Sequence, residues 1–430
     1  MAEADSTRDL SASRRGMLAT GALLASMLAV VNSSLVNAVP LAIANHLAAE
    51  PAQAPWILNA FYAPLAGLLL VAGAAGDRLG RTRLLLAGAA AMAAGALVAG
   101  LADGVAVFVT GRAIQGVGAA LLMPNSLATL TELFSGPERA RMVGLWSAGA
   151  AAASSAGPAI GGWLSETGYW RWIFLASLPA AAVVSALVAV GEHSAGGEMA
   201  REPQPDASAW IPLTRLASTA FVGLSVFTFL LYGVFFSLMV LLPHLLSHVI
   251  GWSASAAGAS LLPVSFASIV LSPWMANAAA RLGPWRILAA SPLAIAAAML
   301  LAFRIVPGAT FIANVLPVAL LIGAGISAAG APLTLALLGT VDVSHAGAAG
   351  GFNSSVSRMG GLLATALIGP ALTLSGAAGL CAIHIILAAQ IMVVAVAACV
   401  MLLLLNRSMC LATQRTTSTN GFSLQHHPQG

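Results

Sequence analysis

GDRLGRTR, residues 76–83, is a short polar turn between two apolar runs: residues 56–75 read WILNAFYAPLAGLLLVAGAA and residues 84–102 read LLLAGAAAMAAGALVAGLA. About 20 residues at ~1.5 Å rise cross the ~30 Å hydrocarbon core of a bilayer, so each run is long enough to span it. The turn therefore sits at a membrane surface. Arg78, Arg81 and Arg83 crowd both helix ends, and short loops dense in Arg stay on the cytoplasmic side. Gly76 and Gly80 suit a tight reversal, because glycine accepts positive φ angles. Asp77 is the single carboxylate among these guanidinium groups.

Composition extends this reading to the whole chain. Of 430 residues, 59% are hydrophobic and 7% charged, against about 25% charged in an average soluble domain. This is the composition of a polytopic membrane protein, with the lipid bilayer as its first partner. All 18 basic residues are Arg, which excludes a P-loop lysine and a Schiff-base lysine. The net charge of +4 is scattered over many short loops, so nucleic acid is not an expected partner. Cys381, Cys399 and Cys410 show no metal-ligand spacing and read as small apolar residues. His244 and His248 are four apart on one helical face but have no third ligand nearby in sequence; no metal and no cofactor are expected. No nucleophile or nucleotide constellation is present, so the chain does not read as an enzyme.

Apolar segments of spanning length fall at 17–39, 55–75, 84–102, 105–126, 142–164 and 172–190, and again at 219–242, 255–276, 286–303, 311–337, 352–374 and 381–405. The expectation is an all-α membrane protein of twelve transmembrane helices in two six-helix halves. Its organisation would be a cytoplasmic tail over 1–16, a first half over 17–190, a cytoplasmic linker over 191–213, a second half over 214–405 and a cytoplasmic tail over 406–430. With the N-terminus inside, Arg78, Arg81, Arg83, Arg139, Arg141, Arg201, Arg215, Arg281 and Arg286 fall in inner loops and only Arg171 and Arg304 in outer ones, a strong positive-inside bias. Both termini are then cytoplasmic. RLGRTR at 78–83 recurs as RLGPWR at 281–286, an offset of 203 that also carries Gly144 and Gly157 onto Gly347 and Gly360. Trp163 finds no match, and Ala280 stands where the first copy has Asp77, so the halves read as related but not equivalent repeats.

GDRLGRTR resembles the loop between helices 2 and 3 of the major facilitator superfamily, secondary transporters of small solutes, on Gly76, Asp77, Arg78, Gly80, Arg81 and Arg83. Further matches accumulate along the chain. VTGRAIQGVGAA, with Arg112, Gln115, Gly116 and Gly118, has the spacing of that superfamily's helix-4 motif, and Gly149, Gly157, Pro158, Gly161 and Gly162 match the helix-5 motif of its antiporters. NSSLVNAVP at 32–40, WILNAFY at 56–62 and WRWIFLASLP at 170–179 resemble the drug:proton antiporter branch that usually has fourteen helices.

The resemblance implies rocking of two halves around a midplane site and export of amphipathic or hydrophobic small molecules, with protons as the coupling ion, by a monomer in the bacterial plasma membrane. A facilitator or importer of a metabolite, and a receptor or accessory protein without transport, are the alternative readings. The path and proton-relay candidates are Asn32, Asn37, Arg112, Gln115, Asn125 and His384, with Met123, Tyr62 and Trp56 expected to line the cavity. Asp77, with Arg358 at the start of helix 11, is expected to latch the halves in the outward-facing state. Two departures bear on mechanism. The branch's extra central helix pair is missing, and its helix-1 signature opens with Asp where this chain has Asn32. None of the fourteen acidic residues falls in the middle of an expected span.

Overall fold

The computed structural model describes residues 2–50, 52–134, 136–192, 218–340, 346–374 and 376–422. Twelve long helices carry the fold: α1 (Ala2–Ser34), α2 (Ala54–Leu79), α3 (Arg81–Gly100), α4 (Val105–Leu133), α5 (Gly136–Glu166), α6 (Ser177–Glu192), α7 (Thr219–His244), α8 (Leu262–Leu282), α9 (Pro284–Ala302), α10 (Leu316–Leu338), α11 (Ala346–Ile368) and α12 (Gly376–Phe422). Eleven of them, some with the short helical turn that precedes or follows, are long and apolar enough to cross a membrane. The remaining one, α5, has 31 residues, or about 46 Å of helix. Among the described residues there are thus twelve long helices, eleven of them of spanning length and apolarity, which supports the expected twelve spans approximately.

Several boundaries differ from the sequence reading. Helix α1 stops at Ser34, five residues short of the expected 39, and the chain passes through the 3-10 turn Leu35–Ala38 into a short helix, Pro40–His46. Pro40 occupies the first helical position there; proline lacks an N–H and pushes its predecessor out of the α region, so NSSLVNAVP works as a helix stop. At its other end α1 begins at Ala2, inside the expected tail, and α12 runs to Phe422, well past the expected 405. Neither stretch contains proline, and lengthening a formed helix needs no new nucleus. The expected linker lies outside the described residues beyond Glu192.

The helices pack in two sets related by a repeat. In the first half α3 lies against α4, α2 against α4, α1 against α5 and α6, and α3 against α6; in the second, α9 lies against α10, α8 against α10, α7 against α11 and α12, and α9 against α12. Adding six to each helix number of the first half yields the second. The turns repeat too, since α2 meets α3 at Gly80 (φ 94°) and α8 meets α9 at Gly283 (φ 89°), angles that only glycine adopts freely. Close approaches follow the same rule: Gly116 of α4 lies on the Phe61 carbonyl of α2 and Gly118 on Met92 of α3, while Gly323 of α10 lies on the Val264 carbonyl of α8 and Gly325 on Ile295 of α9.

The halves meet through α2 against α11 and through α5 against the short helix Ala254–Ala259 that leads into α8 and against α8 itself. These two seams also exchange under the repeat. Gly116→Val is expected to cost on the order of 2 kcal/mol by forcing a side chain onto the Phe61 carbonyl, whereas Gly330→Ala, which meets nothing within 4 Å, should be silent; thermal melting of both variants in detergent distinguishes them.

Candidate functional site

Arg112 is fully buried, the largest such side chain among the described residues. It sits seven residues into α4 and points between α1 and α6. Its Nη1 donates to Gln115 Oε1 at 2.8 Å and to the Asn32 carbonyl at 3.3 Å. Gln115 Nε2 donates on to Asn32 Oδ1 at 3.1 Å, which also accepts from the Ser177 hydroxyl at 2.9 Å. Asn32 Nδ2 is used by the Leu28 carbonyl. The rings of Phe61 and Phe174 cover the guanidinium at 4.4 and 5.6 Å, in the geometry that draws a cation to a ring face. Nε and Nη2 of Arg112 have no hydrogen-bond partner among the described residues.

The structure therefore brings together three of the expected path residues, Asn32, Arg112 and Gln115, but inside the first half. The expected central-cavity position is replaced by a sealed one, because the two aromatic rings and the neighbouring helices close over the charge. Ser177, Phe61 and Phe174 complete this cluster unforeseen; Phe174 and Ser177 lie within the WRWIFLAS stretch, whose spacing says nothing of what they face.

Other expected residues separate. Asn125 donates to the carbonyls of Ala72 at 3.1 Å and Leu121 at 2.8 Å, fastening α4 to α2. Gly76, expected in the reversal, lies instead within α2 and packs directly on the Asn125 side-chain oxygen, leaving no room for a Cβ; the reversal falls to Gly80 alone. Arg81 pairs with Glu132 at 2.6 Å, so this part of GDRLGRTR ties α3 to α4 within one half, while Arg78 and Arg83 are exposed. His384 on α12 stacks against Phe303, ring centroids 5.0 Å apart, among helices of the second half. Trp56 is 54% exposed and lines no interior cavity. The side chains of Asn37 and Asp77 lie outside the described residues.

Arg358 faces away from a helix-end latch. It stands seven residues beyond Gly351, where the span Gly351–Leu372 starts, or about 10 Å into it. Its Nη2 reaches Met123 Sδ of α4 at 3.2 Å across the seam. Nearby, Tyr62 of α2 lies 6.2 Å from Phe236 of α7, and the Tyr62 hydroxyl donates to the Ser33 carbonyl of α1. Farther along the same seam, the Thr365 hydroxyl of α11 bonds Asn59 Oδ1 of α2 at 2.7 Å, and Gly369 packs on Pro55.

The second seam is built by the GAAAASSAGPAIGG segment. Gly157 faces Ser34 at the end of α1, Gly161 faces Leu35 in the turn that follows it, and Gly149 faces Met27, so these glycines dock α5 onto its own half. Gly162 packs instead on the Ala254 carbonyl, and Gly258 packs on the Pro158 carbonyl, across the two halves. The antiporter-type motif thus serves two interfaces. Glu166, at the end of α5, accepts from the Ser255 amide at 2.8 Å. Desolvation is the largest single influence on Glu166 and opposes its ionisation, but the amide and hydroxyl donors of Ser255, Ser253 and Ala254 together outweigh it and hold the carboxyl below the usual carboxylate range.

Fold and site together define a multi-pass helical membrane protein whose two halves close on one another through small residues. The family model of the Major Facilitator Superfamily matches residues 21–365, and the chain belongs to that superfamily. It is 27% identical to the tetracenomycin C resistance and export protein of Streptomyces glaucescens, over 80% of this chain and 73% of that one. It is 36% identical to the methylenomycin A resistance protein of Bacillus subtilis over 166 residues, 38% of this chain. That match spans only 36% of the relative's length, about a third, as do several other strong matches. The crystal structure of a bacterial homologue of the human lysosomal transporter Spinster, in an inward-facing and unoccupied conformation, superposes with a TM-score of 0.65 at 16% identity, covering 91% of this chain and 97% of that one.

Gln115→Leu removes the side-chain acceptor of a buried cation and is expected to cost about 3 kcal/mol, read as a lowered melting temperature with the protein still inserted. Because the Glu166 carboxyl is held low, its tie to the short helix Ala254–Ala259 is complete above the ordinary carboxylate value and fades only as pH falls through the lowered one. The distance between spin labels at Tyr169→Cys and Arg304→Cys, with the native cysteines replaced by serine, should then stay constant from about pH 5 to 9, and Glu166→Gln should broaden it at every pH.

Proposed function

We propose that this protein is a secondary exporter of amphipathic or hydrophobic small molecules, working as a monomer in a bacterial plasma membrane by rocking its two halves around a midplane site. The observation that carries the reading is the α5–α8 seam, where Gly162 and Gly258 bring two backbones into contact across the halves and Glu166 ties the ends together. Two rigid halves that alternate their opening need a face that seals by close packing and releases without leaving buried charge behind. With the Arg-rich loops and both termini in the cytoplasm, that seal lies on the outer face. The proposed organisation is a half on either side of a linker over 191–213, flanked by cytoplasmic tails.

Cargo class and direction draw support from the relatives named for resistance and export. The residues gathered where α2, α4, α7 and α11 meet, Tyr62, Met123, Phe236 and Arg358, also suit a partly apolar guest. Proton antiport is the coupling that the drug-exporter resemblance implies. Asn32 is an amide and exchanges no proton, so any exchange runs through other groups.

An exporter-deficient bacterium expressing the full chain should lose dyes and antibiotics of a mixed panel faster than the empty-vector strain, and an uncoupler should abolish the difference. Equal retention of every compound, with the protein shown in the membrane, would refute the proposal.

A further inference from the structure

Among the described residues, the interior carries positive charge without a compensating carboxylate. The described acidic residues lie in loops or toward helix ends, whereas Arg112 and Arg358 lie well inside spans. Arg112 is sealed away behind Phe61 and Phe174. Arg358 is different, because its guanidinium stands on the seam between the halves and is only partly buried. Its one described acceptor is the Met123 thioether, which accepts hydrogen bonds weakly. Among the described residues it donates to no oxygen. A guanidinium at that depth is costly unless paired or wet, and marks a route or a ligand site.

Beside Arg358 is a gap of about 10 Å³ lined by Tyr62, Phe236, Val240, Gly361 and Thr365. That is room for about one water, so a guest is admitted only as the halves part. When they do, the opened space offers two aromatic faces, a hydroxyl and a guanidinium with free N–H groups. We infer that this seam binds amphipathic organic anions, with Arg358 taking the carboxylate, sulfonate or phenolate of the cargo and Tyr62 and Phe236 taking its apolar body. The inference rests on the export reading and names its cargo class. Guanidinium–carboxylate pairing is the strong, bidentate form of hydrogen bonding, and an interior with two arginines and no carboxylate repels organic cations. Anionic cargo also relieves the need for a titrating acid: outward movement of one negative charge is favoured about fiftyfold per 100 mV of inside-negative potential.

The test uses intact cells of an exporter-deficient bacterium expressing the full chain, loaded either with carboxyfluorescein, generated inside from its diacetate, or with ethidium. Carboxyfluorescein should leave faster than from empty-vector cells and ethidium should not. At equal membrane abundance, Arg358→Gln should slow carboxyfluorescein export roughly 10- to 100-fold, the span of a lost charge-assisted hydrogen bond, while Arg358→Lys retains part of the rate. Export of ethidium but not of carboxyfluorescein would overturn the anion inference and leave the export reading standing. Export of neither dye, with the protein shown in the membrane, would overturn the anion inference, and the export reading would fall with it only if every compound of the mixed panel were retained equally. Undiminished carboxyfluorescein export by Arg358→Gln would remove Arg358 from the site.

Discussion

Close approach of helix backbones is the constraint on which the rest of this structure depends. In a bilayer the lipid tails are as apolar as leucine, so helices gain little by hiding side chains from them and associate through packing and hydrogen bonds. The chain meets this with glycine at the crossings: Gly95 and Gly111 lie on each other's helix between α3 and α4, Gly116 on α2, Gly161 on α1, and Gly233 on Gly360 between α7 and α11. A methyl group at any of these would meet backbone, which cannot yield as a flexible side chain can. Within each half such contacts are many, and between halves they concentrate on two seams. That contrast is what the proposed rocking of two halves requires.

Polar side chains then act as pins at the same crossings. Asn32 and Ser177 join α1 to α6, and Ser237 and Gln390, 2.5 Å apart, join α7 to α12. These helix pairs are equivalent under the repeat. Asn125 joins α4 to α2, and Thr228 and Asn353 join α7 to α11. Each pin is a short-range bond worth about 1 kcal/mol, too weak to assemble the fold and strong enough to fix the rotation of one helix against the next.

How much of this was legible in the sequence follows from what each signal encodes. Helix number, the two halves and the reversal glycines were readable, because apolar length and Arg-rich turns are local properties: Gly80 and Gly283 turn where RLGRTR and RLGPWR place them. Which neighbour a polar side chain finds was not. Arg112, Gln115 and Asn32 did converge, yet the ring of Phe61 that covers the guanidinium comes from α2 and gives no sign in its own stretch. Arg358 looked like a helix-end charge because its distance from the nearest polar residues was read along the chain, whereas its side chain extends inward to Met123. Asn125 looked like a cavity residue and is a fastener, since the carbonyl it needs, that of Ala72, belongs to another helix. The glycine motif of α5 was recognisable as a motif, but its division between α1 and α8 depends on which face of the helix each glycine occupies after the chain folds.

The repeat supplies an internal control on Arg112. Gly116 and Gly118 of α4 make the same approaches as Gly323 and Gly325 of α10, to the Phe61 and Val264 carbonyls and to Met92 and Ile295, which fixes the register of one helix on the other. In that register Arg112 corresponds to Ala319 and Gln115 to Ile322, both fully buried. The second half thus builds the same helix crossing with two apolar side chains and no charge. Packing alone does not require an arginine there, and a buried cation with two nitrogens unpartnered among the described residues is a standing cost of several kcal/mol. A residue that the fold does without in one half and retains at a cost in the other owes its place to something besides architecture. In a chain whose spans hold no compensating carboxylate, the simplest consequence of that charge is a positive interior potential acting on whatever passes between the halves.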